Sequence, residues 1–137
     1  MKKAIVSVLA VFIAWSAMDF VIHGVILSSS YAATASLWRP MAEMKTHLIY
    51  ISGFIASLAF VLIYSLFITK RGILIGLEYG LLFGLSTGVP MGYGSYSVMP
   101  IPYIMAFTWC FGAVVEGMVG GLIVGSILRD EHRLAAG

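Results

Sequence analysis

Four long apolar stretches alternate with short polar segments along the chain. They cover about residues 4–28, 47–69, 72–91 and 103–128. Each stretch holds roughly 20 or more mostly apolar residues, enough for a helix to cross a hydrocarbon core about 30 Å thick. The pattern therefore predicts an all-α integral membrane protein, a four-helix bundle that forms a single transmembrane domain over residues 1–137.

The third and fourth stretches carry small residues at every fourth position, which lie together on one side of a helix. The first row is Gly72, Gly76, Gly80, Gly84, Gly88 and Gly92. The second row is Ala113, Gly117, Gly121 and Gly125. Rows of this kind let membrane helices approach backbone to backbone. We therefore predict an antiparallel bundle with glycine-zipper packing of the third and fourth helices. The alternative places one row at an interface with another subunit.

The distribution of positive charges predicts the orientation in the membrane. Six of the eight Lys and Arg residues would lie on one side: Lys2, Lys3, Lys70, Arg71, Arg129 and Arg133. Only Arg39 and Lys45 would lie on the other side. Because positive residues concentrate in cytoplasmic segments, both termini are predicted to be cytoplasmic. The apolar pattern continues to Leu27, which favours an uncleaved first helix over a secretory signal.

Two segments are predicted to face outward, residues 29–46 and 90–102. In the first, Pro40 is expected to open a short helix that runs through Glu43 into the second span. The second is rich in glycine and proline, so it is predicted to be an irregular loop. Because irregular backbone must avoid lipid, this loop either caps the bundle or forms the mouth of a pocket.

Composition and charge narrow the classes of function. The chain is 61% hydrophobic and 10% charged, with a mean hydropathy of +1.01, whereas a soluble domain has about 25% charged residues. The net charge of +2 comes from short flanking pairs, which excludes a basic patch for nucleic acid. Cys110 is the only cysteine, so no intrachain disulfide forms. Motifs of soluble enzymes, such as a phosphate-binding glycine loop, are absent, which disfavours an enzyme.

Ionisable residues inside the spans are the candidates for function because their burial in a membrane is costly. They are Asp19, His23, His47, Glu78 and Glu116. If Asp19, Glu116 and Glu78 share the bundle interior, they form a proton or cation path. Alternatively, Asp19 and His23 hydrogen-bond each other because they are four residues apart. If the glycine row packs inward, Glu78 faces away from it, toward another helix or a partner subunit.

A cofactor site is the second interpretation of these residues. His23 and His47 lie at similar depth on consecutive helices and could ligate a haem iron, with Arg39 meeting a propionate. A transition metal could instead be held by Asp19, His23, Glu43 and His47, because imidazole with carboxylate suits iron, zinc or manganese. The alternative is that both histidines are hydrogen-bonded structural groups.

Three short segments carry a resemblance to known proteins. They are Asp19-Phe20-Val21-Ile22-His23-Gly24, Leu37-Trp38-Arg39-Pro40 and Pro100-Ile101-Pro102. In these segments the chain resembles a group of small uncharacterised bacterial membrane proteins with four spans. The resemblance implies a bacterial inner-membrane location. It implies no activity, ligand or catalytic residue.

Three functions follow from these observations. The first is a non-catalytic integral membrane subunit or assembly protein, with the lipid bilayer and other subunits or itself as partners. The second is a small proton or cation transporter or channel that uses Asp19, Glu116 and Glu78. The third is a haem- or metal-binding protein that uses His23 and His47. Two rows of small residues, short soluble segments and the lack of enzyme motifs favour the first.

Overall fold

The computed structural model describes residues 2–129, which form helices with no strand among them. The α-helices within this range are α1 (Lys2–Asp19), α2 (Ser28–Ala33), α3 (Thr46–Phe67), α4 (Ile73–Val89), α5 (Ser95–Val98) and α6 (Tyr103–Ile127). Wider π-helical turns occur at Phe20–Ile26 and Pro90–Gly94, and tighter 3-10 turns at Ala35–Leu37 and Met41–Glu43. Arg133 and the C-terminus, which entered the prediction of orientation, lie outside the described residues.

Four continuous helical stretches are long and apolar enough to cross a membrane. They are Lys2–Ile26, Thr46–Phe67, Ile73–Val98 and Tyr103–Ile127. The all-helical class and the four apolar spans predicted from the sequence are therefore confirmed. The bundle has two ends. We call the end with residues 27–45 and 99–102 the long-loop end, and the end with residues 68–72 the short-turn end.

The most extensive helix contact joins α4 to α6. Residue numbers rise along α4 as those of its neighbours fall along α6. Gly76 lies beside Gly121, Gly84 beside Ala113, and Gly92 beside Ala106. The contact thus extends beyond the C-terminal end of α4 into the following π-helical turn.

The α4–α6 contact leaves no room for side chains on the glycine row. A Cβ atom added at Gly84 would lie 2.7 Å from the Cα atom of Val114, and one at Gly76 would lie 2.9 Å from the Cα atom of Gly125. Atoms at such distances overlap, so only glycine allows the two backbones to come this close. Gly72 differs from the prediction, because nothing lies within 4 Å of its Cβ position. It precedes the first turn of α4 and has an extended backbone, so only its carbonyl oxygen meets α6.

The other helices join this pair through large side chains near the short-turn end. The buried cluster there draws residues from α1, α3 and α6: Val8, Val11, Phe60, Val61, Tyr64, Val124 and Leu128. In α3, the buried residues all lie in the second half of the helix. Residues 46–56 are exposed except for the partly buried Gly53. The first half of α3 therefore touches little of the bundle beyond the edge of Phe12, which meets Phe54.

The connection between α3 and α4 is held by side chains that reach the ends of both helices. The Arg71 guanidinium donates to the carbonyl oxygens of Ser65, at 2.6 Å, and Ile68, at 3.0 Å. A cation at this position also interacts favourably with the C-terminal end of the helix dipole. The Tyr64 hydroxyl donates to the Gly72 carbonyl and accepts from its N–H. The turn is therefore fixed by several hydrogen bonds despite its short length.

The predicted loop over residues 90–102 is wrong for most of its length. The helix continues through a π-helical turn at Pro90–Gly94 and then through α5, so that only residues 99–102 connect it to α6. Two causes explain the continuation. Proline lacks an N–H and normally ends a helix, but here a widened turn accommodates it. Gly92 also keeps this segment against α6, because a Cβ added there would lie 3.0 Å from Cys110 Cβ.

The predicted helix after Pro40 is confirmed only as one turn. A 3-10 turn covers Met41–Glu43 and ends there, because Met44 has an extended backbone. The second span begins separately at Thr46.

Substitution of Gly80 by alanine tests the close backbone contact. The new methyl group would overlap the Gly117 carbonyl and lie 3.1 Å from the Cα atom of Gly121. Overpacking of this kind costs about 1–3 kcal/mol, so we expect Gly80→Ala to lower the free energy of unfolding by about 3 kcal/mol. The measurement is an unfolding titration in mixed micelles.

Gly94→Ala is the matched control, because Gly94 is also helical but has nothing within 4 Å of its Cβ position. Alanine there should be neutral or stabilising by up to about 1 kcal/mol, in line with its helix propensity. Equal effects of the two substitutions would contradict the packing described here.

Candidate functional site at the long-loop end

Three ionisable residues of the spans meet between α1 and α6. Asp19 ends α1, His23 lies in the π-helical turn that follows, and Glu116 lies near the middle of α6. They line a cavity of about 40 Å³. Its complete lining is Asp19, Ile22, His23, Met91, Trp109, Gly112, Ala113 and Glu116. The cavity has room for a water-sized polar ligand, which needs about 10–15 Å³ on this measure.

Both π-helical turns found between residues 2 and 129 border this cavity. Phe20–Ile26 contributes Ile22 and His23, and Pro90–Gly94 contributes Met91. Turns of this kind are rare and often occur at functional sites. Pro90 is a sequence signal for an irregular turn, but nothing in the residues 20–26 predicts the first one.

Two glycines of α6 let α1 approach on the side that faces away from α4. A Cβ atom at Gly112 would lie 2.8 Å from Ile22 Cδ1, and one at Gly120 would lie 3.1 Å from the indole nitrogen of Trp15. The Trp15 indole N–H donates to the carbonyl oxygen of Glu116 at 2.7 Å. Gly112 and Gly120 therefore bring α1 close enough for Asp19 and Glu116 to meet.

A chain of hydrogen bonds extends from this site to α2. The Trp109 indole N–H donates to the Tyr31 hydroxyl oxygen at 3.1 Å. Because the oxygen accepts this bond, the hydroxyl hydrogen is available for His23 Nδ1, which lies 2.7 Å away. In the neutral imidazole the hydrogen is then on Nε2, which faces Asp19 Oδ1 at 3.7 Å.

Tyr31 is held as a neutral phenol in this chain. Burial raises the pKa of Tyr31 above its usual value of 10.0, the hydrogen bond from Trp109 lowers it in part, and the charge of Asp19 raises it. The hydroxyl group therefore keeps its hydrogen for His23 throughout the neutral range. Sequence analysis missed Tyr31 because its role depends on contacts with distant helices.

Aromatic rings cover the site at the long-loop end. Trp38 packs edge-on against Tyr31 and Trp109, with ring centroids 5.3 and 6.2 Å apart. Its indole N–H donates to the Thr34 hydroxyl at 2.9 Å. Leu37 and Ile101 join the same cluster. The three segments that carry the sequence resemblance, residues 19–24, 37–40 and 100–102, thus converge around one site.

The two carboxyl groups differ in exposure and in partners. The Asp19 side chain is 51% exposed, and the His23 side chain beside it is 34% exposed. The Asp19 and Glu116 side chains line the same cavity. Glu116 Oε1 is buried and has no hydrogen-bond partner within residues 2–129. An unpaired buried oxygen of this kind costs about 1–3 kcal/mol or more, so this atom is suited to an exchangeable ligand.

The predicted metal site does not form. Within residues 2–129, no group of three or more His, Cys, Asp or Glu side chains is placed to hold a metal ion. Asp19 and His23 face α6, whereas Glu43 and His47 are exposed around the start of α3. The four-residue spacing predicts that two residues lie on the same side of a helix. It does not predict which other helix, if any, that side contacts.

The haem interpretation also finds no support in the geometry. His23 Nδ1 is engaged by the Tyr31 hydroxyl, and the ring contacts of His23 are with Tyr31 and Trp109. His47 and Arg39 are exposed and take no part in this cluster.

The predicted series of three acids across the membrane is interrupted. Glu78 is exposed on the side of α4 that faces away from α6, because Gly76 and Gly80 turn the opposite side toward α6. Aromatic rings fill the interior beyond Glu116, with Trp15 against Phe60 and Phe83 at centroid distances of 5.1 and 6.3 Å. Asp19 and Glu116 therefore meet, but Glu78 does not join them.

Removal of the Tyr31 hydroxyl tests the hydrogen-bonded chain. Tyr31→Phe leaves the Trp109 N–H and His23 Nδ1 without their shared partner, which costs about 1–3 kcal/mol of unfolding free energy. Tyr50→Phe is the control, because Tyr50 is 56% exposed and its loss should change stability by less than about 0.5 kcal/mol. Equal stability of the two variants in an unfolding titration would show that the hydrogen bonds of Tyr31 do not contribute to the free energy of unfolding.

The raised pKa of Tyr31 predicts an alkaline effect with a defined sign. The unfolded phenol loses its proton near pH 10.0, while the folded one retains it to higher pH. Stability from this group is therefore complete below pH 10 and falls as pH rises through the folded pKa. We expect the decline in unfolding free energy above pH 10 to be shallower in Tyr31→Phe than in Tyr50→Phe. Identical slopes in the two variants would be evidence against burial of the phenol.

Comparison with protein-family models, curated proteins and solved structures found no match to this chain. The resemblance to small bacterial four-span proteins therefore stays a prediction.

Proposed function

We propose that this protein is a non-catalytic integral subunit of the bacterial inner membrane that associates with a second copy of itself. In this proposal the bundle is antiparallel, a glycine zipper joins α4 to α6, and both termini are cytoplasmic. The opposite direction of residue numbers along α4 and α6 supports the antiparallel packing. The charges of Lys70, Arg71 and Arg129 at one end of the spans support the orientation.

The exposed carboxyl group of Glu78 is the observation that carries the proposal. Glu78 lies five residues after the start of α4, about 8 Å along the helix axis at 1.5 Å per residue. It makes no hydrogen bond or ion pair with any residue in the described range 2–129. A carboxyl group facing lipid at this depth is costly, and such residues almost always face protein or water. A protein surface outside this chain is therefore expected to cover Glu78.

The residues around Glu78 form a surface suited to a second helix. Leu74, Leu81 and Leu85 are exposed and, with Glu78, follow a spacing of four, three and four residues. This spacing produces a seam along one side of a helix, as in coiled-coil packing. The seam lies outside the contact with α6, because the glycine row occupies that side of α4.

A second copy of the chain is the partner that the chemistry of Glu78 favours. A protonated carboxyl group both donates and accepts hydrogen bonds, so it is complementary to an identical group. Two copies related by a two-fold axis would place their Glu78 side chains together in one isologous contact. Hydrogen bonds between membrane helices contribute about 0.6–2 kcal/mol.

Substitutions of Glu78 test whether its hydrogen-bonding capacity holds two copies together. Glu78→Leu removes this capacity and should weaken association about ten-fold, the equivalent of about 1.4 kcal/mol. Glu78→Gln should retain association because an amide also donates and accepts. Native mass spectrometry of gently extracted protein measures the fraction of dimer. Equal dimer fractions in Glu78→Leu and the native chain would refute the role of Glu78.

Cysteine cross-linking in the membrane locates the interface independently of extraction. In a Cys110→Ala background, Leu74→Cys on the proposed seam should form a disulfide between copies under oxidation. Leu66→Cys on α3 is the matched control, since Leu66 and Leu74 are 68% and 67% exposed. Cross-linking by the control alone, or by neither residue, would contradict the interface, and pairing of Leu74→Cys with a different protein would replace the second copy by that partner.

A further inference from the structure

The cavity beside Glu116 has no role in the association proposed above. Among the described residues its titratable lining groups are Asp19 at the end of α1, His23 in the first π-helical turn and Glu116 on α6. Tyr31 of α2 faces His23 from the long-loop end. The second π-helical turn contributes only Met91, which does not titrate. Among residues 2–129, no Lys or Arg lines the cavity, so within this range the two carboxyl groups have no fixed positive charge beside them.

We propose that Asp19 and Glu116 form a site that binds one exchangeable proton, reached from the long-loop end only. Asp19 and Glu116 line one small cavity, and two carboxylates so placed repel each other, whereas a single proton shared between them removes this repulsion. The unpartnered Glu116 Oε1 atom points to the same conclusion, because a proton or a hydrated proton satisfies it. Proton binding at this site is independent of the proposed association with a second copy.

A proton fits this site better than a metal cation. Calcium takes six to eight oxygen ligands and magnesium about six, whereas the cavity presents only the carboxyl oxygens of Asp19 and Glu116 as anionic ligands. Its remaining lining is one imidazole with apolar side chains and glycine. No metal-holding group of three side chains occurs in residues 2–129.

The order of the polar side chains defines the route for the proton. Asp19 lies beside His23, which contacts Tyr31 at the long-loop end, whereas Glu116 Oε1 is buried, so Asp19 is the outer group and Glu116 is the inner one. A hydronium ion transfers one proton to an Asp19 carboxylate oxygen and leaves as water, and no other covalent bond changes. His23, fixed by Tyr31, is a positioning residue because its Nε2 atom faces Asp19. Asp19, His23 and Tyr31 form a line of polar side chains that ends at α2, beyond the first apolar span.

The interior beyond Glu116 closes the route toward the short-turn end. Trp15 donates to the Glu116 carbonyl and packs against Phe60. Phe60 in turn packs against Tyr79, with ring centroids 4.6 Å apart. The Tyr79 hydroxyl donates to the Phe60 carbonyl at 2.8 Å, so it is already engaged within this layer. The site therefore binds and releases its proton on one side and does not conduct it.

Infrared spectroscopy of the full chain in nanodiscs tests the proton site directly. The native protein should show a protonated-carboxyl band at neutral pH that shifts in heavy water and disappears as pH is raised further. Asp19→Asn and Glu116→Gln are isosteric, and each should abolish this neutral-pH band because repulsion from the second carboxylate no longer holds the proton. Glu78→Gln is the matched control, and the band that depends on Asp19 and Glu116 should remain in it. Tyr31→Phe should shift the pH at which the band disappears, which a purely structural role of Tyr31 would not do.

Each outcome of this test decides the proposal. Circular dichroism first establishes that a variant is folded. One folded variant, Asp19→Asn or Glu116→Gln, is enough for the test. Persistence of the neutral-pH band in a folded Asp19→Asn or Glu116→Gln protein would overturn the proposal, as would absence of this band from the native protein at neutral pH. Proton flux into proteoliposomes that is lost in Glu116→Gln would overturn the one-sided route and restore a transporter. Failure of the dimer experiments would leave this result unaffected, because Glu78 is not part of the cavity.

Discussion

The close backbone contact between α4 and α6 determines which way the carboxyl groups of these two helices face. Lipid chains are as apolar as the side chains they touch, so helices in a membrane associate mainly through close packing and hydrogen bonds. Glycine makes that packing possible at Gly76, Gly80 and Gly84, where any side chain would overlap the α6 backbone. The same contact fixes the rotation of α4 about its axis. Glu78 is consequently turned outward, away from Asp19 and Glu116.

A second consequence concerns α6, which packs on both sides through small residues. One row faces α4, while Gly112 and Gly120 receive Ile22 and Trp15 from the α1 span. Glu116 lies between the two glycines of this second row and thus points to the same neighbour. The Trp15 hydrogen bond to its carbonyl oxygen fixes the approach of α1 at that level. The meeting of Asp19 with Glu116 therefore follows from where glycine occurs on α6.

Composition and periodicity were enough to predict the spans and the glycine row, because both depend on local sequence. The site was harder to predict. Asp19 and His23 have the same four-residue spacing as Glu43 and His47, yet only the first pair faces another helix. Pro90 indicated a loop, but a π-helical turn absorbed it because Gly92 still packs on α6. The hydrogen bonds of Tyr31 could not be predicted from the sequence, since its partners His23 and Trp109 belong to different helices.

The two ends of the bundle differ in how their buried polar atoms are satisfied. Toward the short-turn end, the Tyr79 hydroxyl is bonded to the Phe60 carbonyl and the Tyr64 hydroxyl to Gly72, so these groups are already paired within the protein. Toward the long-loop end, Trp109, Tyr31 and His23 are also hydrogen-bonded to one another. The nearby Glu116 Oε1 atom, in contrast, has no hydrogen-bond partner among residues 2–129. A ligand that exchanges with the surroundings is therefore expected only in the long-loop half. Because the aromatic layer lies between the two halves, the exposed Glu78 on the outside of α4 requires a separate explanation, for which we propose contact with another copy.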